Sequence, residues 1–205
     1  MGSHILRGVP ELAQADFMRG VRGEKITPGQ TPVIEPILGG ISSISRTAIR
    51  RVHQESPAAA RSYFSGAIAK FVLMGDRAAA TCHTYTASVE RYIDWDGGSG
   101  DADIDLKLAV PFGPDDRVRA ITHVAREVAD DEWVGRVLLW DDLPLNTKAA
   151  EMIALPNVEC VDHLYGNGSA VAIEVWHLAR GEKERVERDA ALARRSDVES
   201  FFADL

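Results

Sequence analysis

The spacing of apolar side chains predicts two consecutive helices in the first part of the chain. Apolar residues recur every three or four positions after Ser42 or Ser43, either of which can cap the first helix. The second helix begins at Ser56, an N-cap residue, and Pro57 follows at the first helical position, where its fixed φ is favourable. The pattern therefore predicts a helical segment over residues 41–76.

From residue 78 onward the period of the pattern changes to two, which is typical of strands, with Arg91 and Tyr92 as exceptions. Residues 84–95 and 102–110 both alternate and are separated by a glycine-rich turn, so we expect them to pair as a hairpin. Further strands are predicted over residues 133–140, 157–165 and 171–175. Helices are predicted over residues 115–128, 146–155 and 182–195.

This order of elements predicts an α+β fold in the ferredoxin-like style. Two helices are followed by the order β-β-α-β-α-β-β-α, in which hairpins alternate with helical crossovers. We expect a mixed five-stranded sheet with helices packed on one face, forming an α+β domain over residues 77–205.

The first forty residues are predicted to form an extended arm. A short helix is expected over residues 11–21, but three prolines and four glycines between positions 22 and 40 cannot sustain a helix or a central strand. An arm of this kind is either disordered or laid on a neighbouring surface. The apolar residues that favour the second interpretation are Val33, Ile34, Ile37 and Leu38.

The last residues form an apolar tail that follows a highly charged segment. This tail is expected to dock either on a partner or back on the body of the chain, because an idle terminus does not need so much apolar surface. Its apolar residues are Val198, Phe201, Phe202 and Leu205.

Composition and charge narrow the classes of function. The chain has 205 residues, 45% of them apolar and 26% charged, which excludes collagenous, disulfide-scaffold and wholly disordered proteins. Its net charge of −8 disfavours a nucleic-acid-binding protein. The charge is uneven, because residues 1–75 carry +4 and the remainder −12. This asymmetry can act within one chain, can join the basic end of one subunit to the acidic body of the next, or can leave two solvated surfaces with no partner. Arg46 and Arg50 lie on a basic helix face that is either a contact with an acidic partner or a solvated surface.

The cysteines and the longest apolar stretches bear on location. Two cysteines cannot build a disulfide framework, and no apolar stretch approaches the roughly 20 residues that cross a bilayer. We therefore expect no membrane span and, by default, a cytoplasmic location.

Three groups of residues are candidates for chemistry. Asp103 and Asp105 share one face of a predicted strand and could chelate a divalent cation, but a solvated strand face explains these acids without a ligand and is the favoured interpretation. His83 beside Glu90 or Asp94, and His177 beside Glu174, could act as acid–base pairs. None of these spacings is specific, so the sequence assigns no catalytic residue, no metal ligand and no cofactor.

Residues 102–116 resemble part of a known family. A strand rich in aspartate and aliphatic residues runs into a Pro-Gly turn and a predicted helix, as in the carboxyl-terminal region of bacteriophage baseplate J-like wedge proteins. Residues 142–146 before a short helix and residues 156–161 as a returning strand follow the same order. The resemblance spans residues 86–178 and implies a phage tail or baseplate component of the virion, with no catalytic residues to carry over.

The sequence thus predicts a non-catalytic structural subunit. Its arm and tail would bind protein subunits of a larger assembly or further copies of the same chain, with no nucleic acid and no membrane involved. The alternative is a small cytoplasmic α+β enzyme that uses His83 or His177 with nearby acids.

Overall fold

A computed structural model describes residues 11–26, 36–97, 101–114 and 116–205. The helices in this part of the chain are α1 (Gln14–Gly20), α2 (Pro36–Gln54), α3 (Pro57–Val72), α4 (Asp76–Asp96), α5 (Thr147–Tyr165), α6 (Arg188–Leu192) and α7 (Arg195–Ala203). The strands are β1 (Glu11–Ala13), β2 (Asp103–Pro111), β3 (Arg117–Ala129), β4 (Glu132–Leu139), β5 (Ala170–His177) and β6 (Glu182–Glu187).

Six strands form one mixed sheet in the described part of the chain. The long strand β3 pairs with β2 along one edge, antiparallel. Its other edge pairs with β1, parallel, at the start and with β4, antiparallel, at the end. β4 and β5 are parallel and are connected through α5, and β6 pairs antiparallel with β5.

A buried glutamine fills the gap between β1 and β4 along one edge of β3. The Gln14 side chain, only 3% exposed, donates from Nε2 to the carbonyl oxygen of Ile121 at 2.9 Å and accepts from the Ile121 N–H. The side-chain amide thereby takes the place of a neighbouring strand at this position. Both backbone groups of Ile121 are satisfied although neither β1 nor β4 reaches them.

Helices cover both faces of the sheet. Leu138 and Trp176 pack with α2, α3 and α4 on one face. Their neighbours Val137 and Val175 lie on the opposite face, against α5. Successive side chains of a strand point to opposite faces, so the sheet lies between two helical layers.

The α+β class predicted from the sequence is confirmed, with two differences in detail. Within the described residues the sheet has six strands rather than five, and helices pack on two faces rather than one. Ser56 caps α3 as expected, accepting from the N–H of Ala59 at 3.1 Å. None of the helices in the described ranges is both long enough and apolar enough to cross a membrane.

The prediction of a strand over residues 84–95 was wrong, because this segment belongs to α4. Its buried apolar side chains include Cys82, Val89, Tyr92 and Ile93, which are spaced three, four or seven residues apart, as on one helix face. Apolar residues two apart over a short window also include pairs four apart, and that ambiguity produced the error. The predicted hairpin does not form, and β2 pairs with β3 instead.

The segment after residue 115 shows the opposite error. It was predicted as a helix and is the strand β3. Val118, Ala120, Thr122 and Val124 are buried at alternate positions, which is the strand period, and three of them are β-branched. Pairing with β2 on one side and with β1 and β4 on the other makes β3 central to the sheet.

Two predictions near the end of the chain were also wrong. Residues 157–165 continue α5 through Pro156 rather than forming a strand, because α5 is buried along almost its whole length and packing outweighs the helix-breaking effect of proline. The charged segment predicted as a helix over residues 182–195 forms the edge strand β6 and then the short helix α6.

The prediction of an extended arm over the first forty residues differs from the structure in the part of this segment that is described. α1 forms within the predicted helical stretch, and α2 begins at Pro36 rather than after Ser42. A Cβ on Gly40 would lie 2.7 Å from the ring of Phe71, so the glycine permits close packing of α2 on α3. Residues 1–10 and 27–35 lie outside the described part of the chain.

A buried carboxylate joins the helical layer to the sheet. The side chain of Asp96, at the end of α4, has no exposure and pairs with Arg126 of β3 at 2.9 Å and with Arg136 of β4. His53 of α2 has its Nε2 3.8 Å from the Asp96 carboxylate and hydrogen-bonds to the Tyr92 hydroxyl at 2.5 Å. One carboxylate therefore connects two helices with two neighbouring strands.

We expect Asp96→Asn to lower the free energy of unfolding by about 3 kcal/mol, because it leaves the largely buried Arg126 without a carboxylate partner among the described residues and leaves Arg136 with Glu174 alone. Asp94→Asn is the matched control, since Asp94 lies in the same helical turn but is 68% exposed and pairs with exposed Arg61. It should change stability by less than about 1 kcal/mol. Urea unfolding measures both variants, and equal midpoints would contradict the role assigned to Asp96.

Candidate functional site

A cleft of about 370 Å³ lies between α2 and the strands β2 and β3. We call it the α2 cleft. It is lined by Gly39, Ser42, Ser43, Arg46, Thr47, Arg50, Asp105, Lys107, Ile121 and His123.

One side of α2 supplies the first wall because the helix is amphipathic. Ser43, Arg46 and Arg50 recur at helical spacing and are exposed, whereas Ile41 and Ile49 are buried against the core. Thr47 donates its hydroxyl to the carbonyl oxygen of Ser43 at 3.0 Å. The polar side chains that α2 turns away from the core therefore face the cleft.

Strand β2 supplies the second wall and contains a strained residue. Asp105 has φ +58°, in the left-handed region that a non-glycine residue adopts at a cost of about 1–3 kcal/mol. The pairing register with β3 is the same on either side, Ile104 with Val124 and Leu106 with Thr122. The Asp105 carboxylate pairs with Arg50 at 2.5 Å. The strain is thus local, and it accompanies an ion pair across the cleft.

His123 of β3 contributes a partly buried imidazole whose tautomer is fixed. Its Nδ1 accepts a hydrogen bond from the N–H of Leu138 at 3.2 Å. Burial lowers the pKa of His123 to about 4, with the charge of Arg46 acting in the same direction and Asp105 opposing them. At neutral pH the ring is therefore uncharged and carries its proton on Nε2, as a hydrogen-bond donor.

Two of the cations that line the cleft have no carboxylate partner within the described residues. Arg50 is paired with Asp105, but Arg46 and Lys107 form no such pair. Elsewhere arginines are commonly paired, as Arg22 is with Asp141 at 2.6 Å. The α2 cleft is therefore a positively charged concavity on a chain with a net charge of −8.

The structure places the arm residues predicted to bind partners as follows. Val33 and Ile34 lie outside the described part of the chain, as does the side chain of Ile37. Leu38 is partly buried in the first turn of α2. Arg46 and Arg50, predicted to contact an acidic partner, both line the α2 cleft.

The apolar tail packs back on the body, one of its two predicted courses. Val198 is fully buried and offers no surface to a partner, which corrects its assignment as a contact residue. Phe201 and Phe202 are partly buried against Phe17, at ring-centroid distances of 5.6 and 6.4 Å. Leu205 remains 42% exposed, and its contact with a partner stays a prediction.

The predicted acid–base pairs are not formed. Glu90 and Asp94 both pair with Arg61 rather than with His83, which is exposed on α4. His177 is fully buried, with Nε2 2.8 Å from the Leu143 carbonyl oxygen and Nδ1 accepting from the Arg180 N–H.

Glu174, the acid predicted beside His177, bonds to Arg136 and to Trp176 instead. These contacts give His177 and Glu174 separate structural partners.

The two aspartates predicted as a cation site are also separated by their partners. Asp103 accepts a hydrogen bond from the Tyr165 hydroxyl at 2.5 Å, whereas Asp105 pairs with Arg50. Across the described ranges, no three acidic, histidine or cysteine side chains are grouped so that they could hold a metal ion.

Sequence reasoning missed His123 and Lys107 as site residues. His123 falls in the segment predicted as a helix, where it has no relation to Arg46. The alternation of buried residues from Val118 to Val124 is the signal that could have identified the strand. The left-handed conformation of Asp105 has no signal in the sequence.

In comparisons with protein-family models and with curated proteins, no match to this chain was found. The resemblance to baseplate J-like proteins therefore stays a prediction.

The lowered pKa of His123 predicts a specific pH dependence of stability. In the unfolded chain the histidine has its ordinary pKa of about 6.5, whereas in the folded chain the pKa is about 4. Between these two pH values the unfolded chain binds a proton that the folded chain does not bind. The free energy of unfolding therefore falls as the pH drops from about 6.5 to about 4. His123→Asn should reduce this fall by up to about 3 kcal/mol. Denaturant unfolding from pH 7 down to pH 4 measures the effect.

The control is His83→Asn, which removes an exposed histidine of α4 outside the cleft. Burial also lowers the pKa of His53 and of His177, so part of the pH dependence should persist in the His123 variant. A His123→Asn profile parallel to that of the unmodified protein would contradict the assignment.

Proposed function

We propose that this chain is a binding protein whose α2 cleft holds a small anionic ligand. The observation that carries the proposal is the presence of Arg46 and Lys107, two cations without a carboxylate partner in the described residues, in the same concavity as Arg50. Like charges that line one cleft repel each other. An anion bound between them offsets this repulsion and accepts charge-assisted hydrogen bonds from the cations.

The uncharged groups of the cleft support the same proposal. The hydroxyl of Ser43 has no hydrogen-bond partner within the described residues, and His123 offers an N–H donor. Polar groups of this kind orient a ligand in a concave site, while the charges supply attraction. Asp105, the acid of the cleft, is held by Arg50 and so is less able to repel an incoming anion.

Sulfate tests this function because it is an anion of small size and fixed charge. At pH 7.5 we expect sulfate to bind and to raise the melting temperature. Arg46→Gln should weaken binding by about tenfold, since one charge-assisted hydrogen bond contributes about 1.5–3 kcal/mol. Isothermal titration calorimetry measures both proteins.

The matched control is Arg61→Gln, which removes an exposed arginine of α3 outside the cleft. It should bind sulfate as the unmodified protein does. If no anion binds, or if the Arg46 and Arg61 variants bind equally well, the cleft is not the site.

A second candidate function is assembly with copies of the same chain, in keeping with the subunit role predicted from the sequence. The observation that favours it is a run of exposed apolar residues at the junction of α3 and α4, Val72, Leu73 and Met74, in which Leu73 is 88% exposed. Contiguous exposed apolar side chains are typical of contact surfaces. For a chain that assembles in this way, we propose a location in a virion or in the cytoplasm.

Leu73→Asp tests the assembly function. If copies of the chain meet through this junction, the unmodified protein self-associates and the variant shifts toward the monomer, because a carboxylate cannot be buried there without a partner. Light scattering across a concentration series measures the mass. Leu164→Asp is the control, since Leu164 is exposed on α5. A protein that remains monomeric at every concentration would contradict self-assembly.

A further inference from the structure

We propose that the α2 cleft selects phosphate monoesters in their dianionic form over singly charged anions. This inference rests on the proposed function, because it names the class of ligand for the same site.

The charge of the cleft is the first argument. Arg46, Arg50 and Lys107 are positive, Asp105 is negative, and His123 is uncharged at neutral pH, which leaves the lining with a charge of +2. A phosphate monoester carries close to two negative charges above its second pKa of about 6. A carboxylate or a phosphate diester carries one charge and would leave a cation uncompensated.

The chemistry of the lining groups is the second argument. The arginine and lysine side chains and the Nε2–H of His123 can only donate hydrogen bonds. Asp105, which could accept a hydrogen bond from a ligand, is already paired with Arg50. A ligand whose oxygens all accept therefore fits best, and a monoester dianion presents three such terminal oxygens.

The exposure of the lining is the third argument. Ser43, Arg46 and Lys107 are exposed, so the cleft opens to solvent on the side of its unpaired cations. The organic group of an ester can extend outward from this opening without being enclosed. The site thus recognises the phosphate and places few restrictions on the molecule that carries it.

Three probes separate this proposal from general anion binding. They are methyl phosphate, sulfate and dimethyl phosphate, each titrated by calorimetry from about pH 5 to about pH 7.5. Methyl phosphate should bind about tenfold more tightly at the upper pH, because its dianion fraction rises through the second pKa of about 6. Sulfate is doubly charged throughout, so its affinity reports any titration of the protein itself. Dimethyl phosphate, a monoanion, should bind at least about tenfold more weakly than methyl phosphate at the upper pH.

Variants of the cleft complete the test. Arg46→Gln and Lys107→Gln should each reduce the preference for methyl phosphate over dimethyl phosphate, whereas Arg61→Gln should retain it. One outcome is that sulfate binds while the affinity for methyl phosphate, relative to that for sulfate, stays the same between about pH 5 and about pH 7.5. That result would leave the proposed anion site standing and overturn the monoester proposal. Equal binding of the monoester and the diester overturns it as well. If none of the three probes binds, both proposals fail.

Discussion

A carboxylate removed from water needs a positive charge beside it, and the packing of the helices on the sheet meets this need at Asp96. Its position at the end of α4 is unfavourable on its own, because the carboxyl end of a helix carries partial negative charge. Arg126 and Arg136, on two adjacent strands, supply the compensating charge. Because a buried charge cannot exchange protein partners for water, the helical layer cannot slide over the sheet without breaking these pairs. The position of α4 on the sheet follows from this constraint.

The same constraint positions the α2 cleft. His53, near the end of α2, contacts Tyr92 and lies beside Asp96, while Gly40 near the other end packs closely on Phe71. The helix between these two points contributes one wall of the cleft. The opposite wall includes His123, three residues before Arg126 on β3. The two elements that the Asp96 network holds together, α2 and β3, therefore bring Arg46, Arg50 and the imidazole into one place, and β2 adds Lys107.

The sequence allowed prediction of those elements whose signals are local. α3 was identifiable from its cap at Ser56, and β4 from a short apolar run. α4 and β3 were exchanged because small and β-branched residues gave each segment both periods, and only pairing across the sheet decides between them. Arg46 and Arg50 could be selected from the sequence by their charge. The cleft itself could not be predicted, because its second wall is formed by β2 and β3. With β3 predicted as a helix, no argument from sequence could bring His123 beside the two arginines.

Asp105 shows how the cleft and the sheet constrain one another. Its left-handed backbone costs about 1–3 kcal/mol, and an exposed ion pair with Arg50 contributes at most about 1 kcal/mol, so the pair alone does not repay the strain. The remainder must come from β2 and β3, which keep one register on both sides of the kink. Such a kink also interrupts β2, which pairs only with β3 among the described strands, and so hinders pairing with another chain. The sheet thus holds Asp105 against Arg50 as an internal counter-ion, and the charges left without one are those of Arg46 and Lys107.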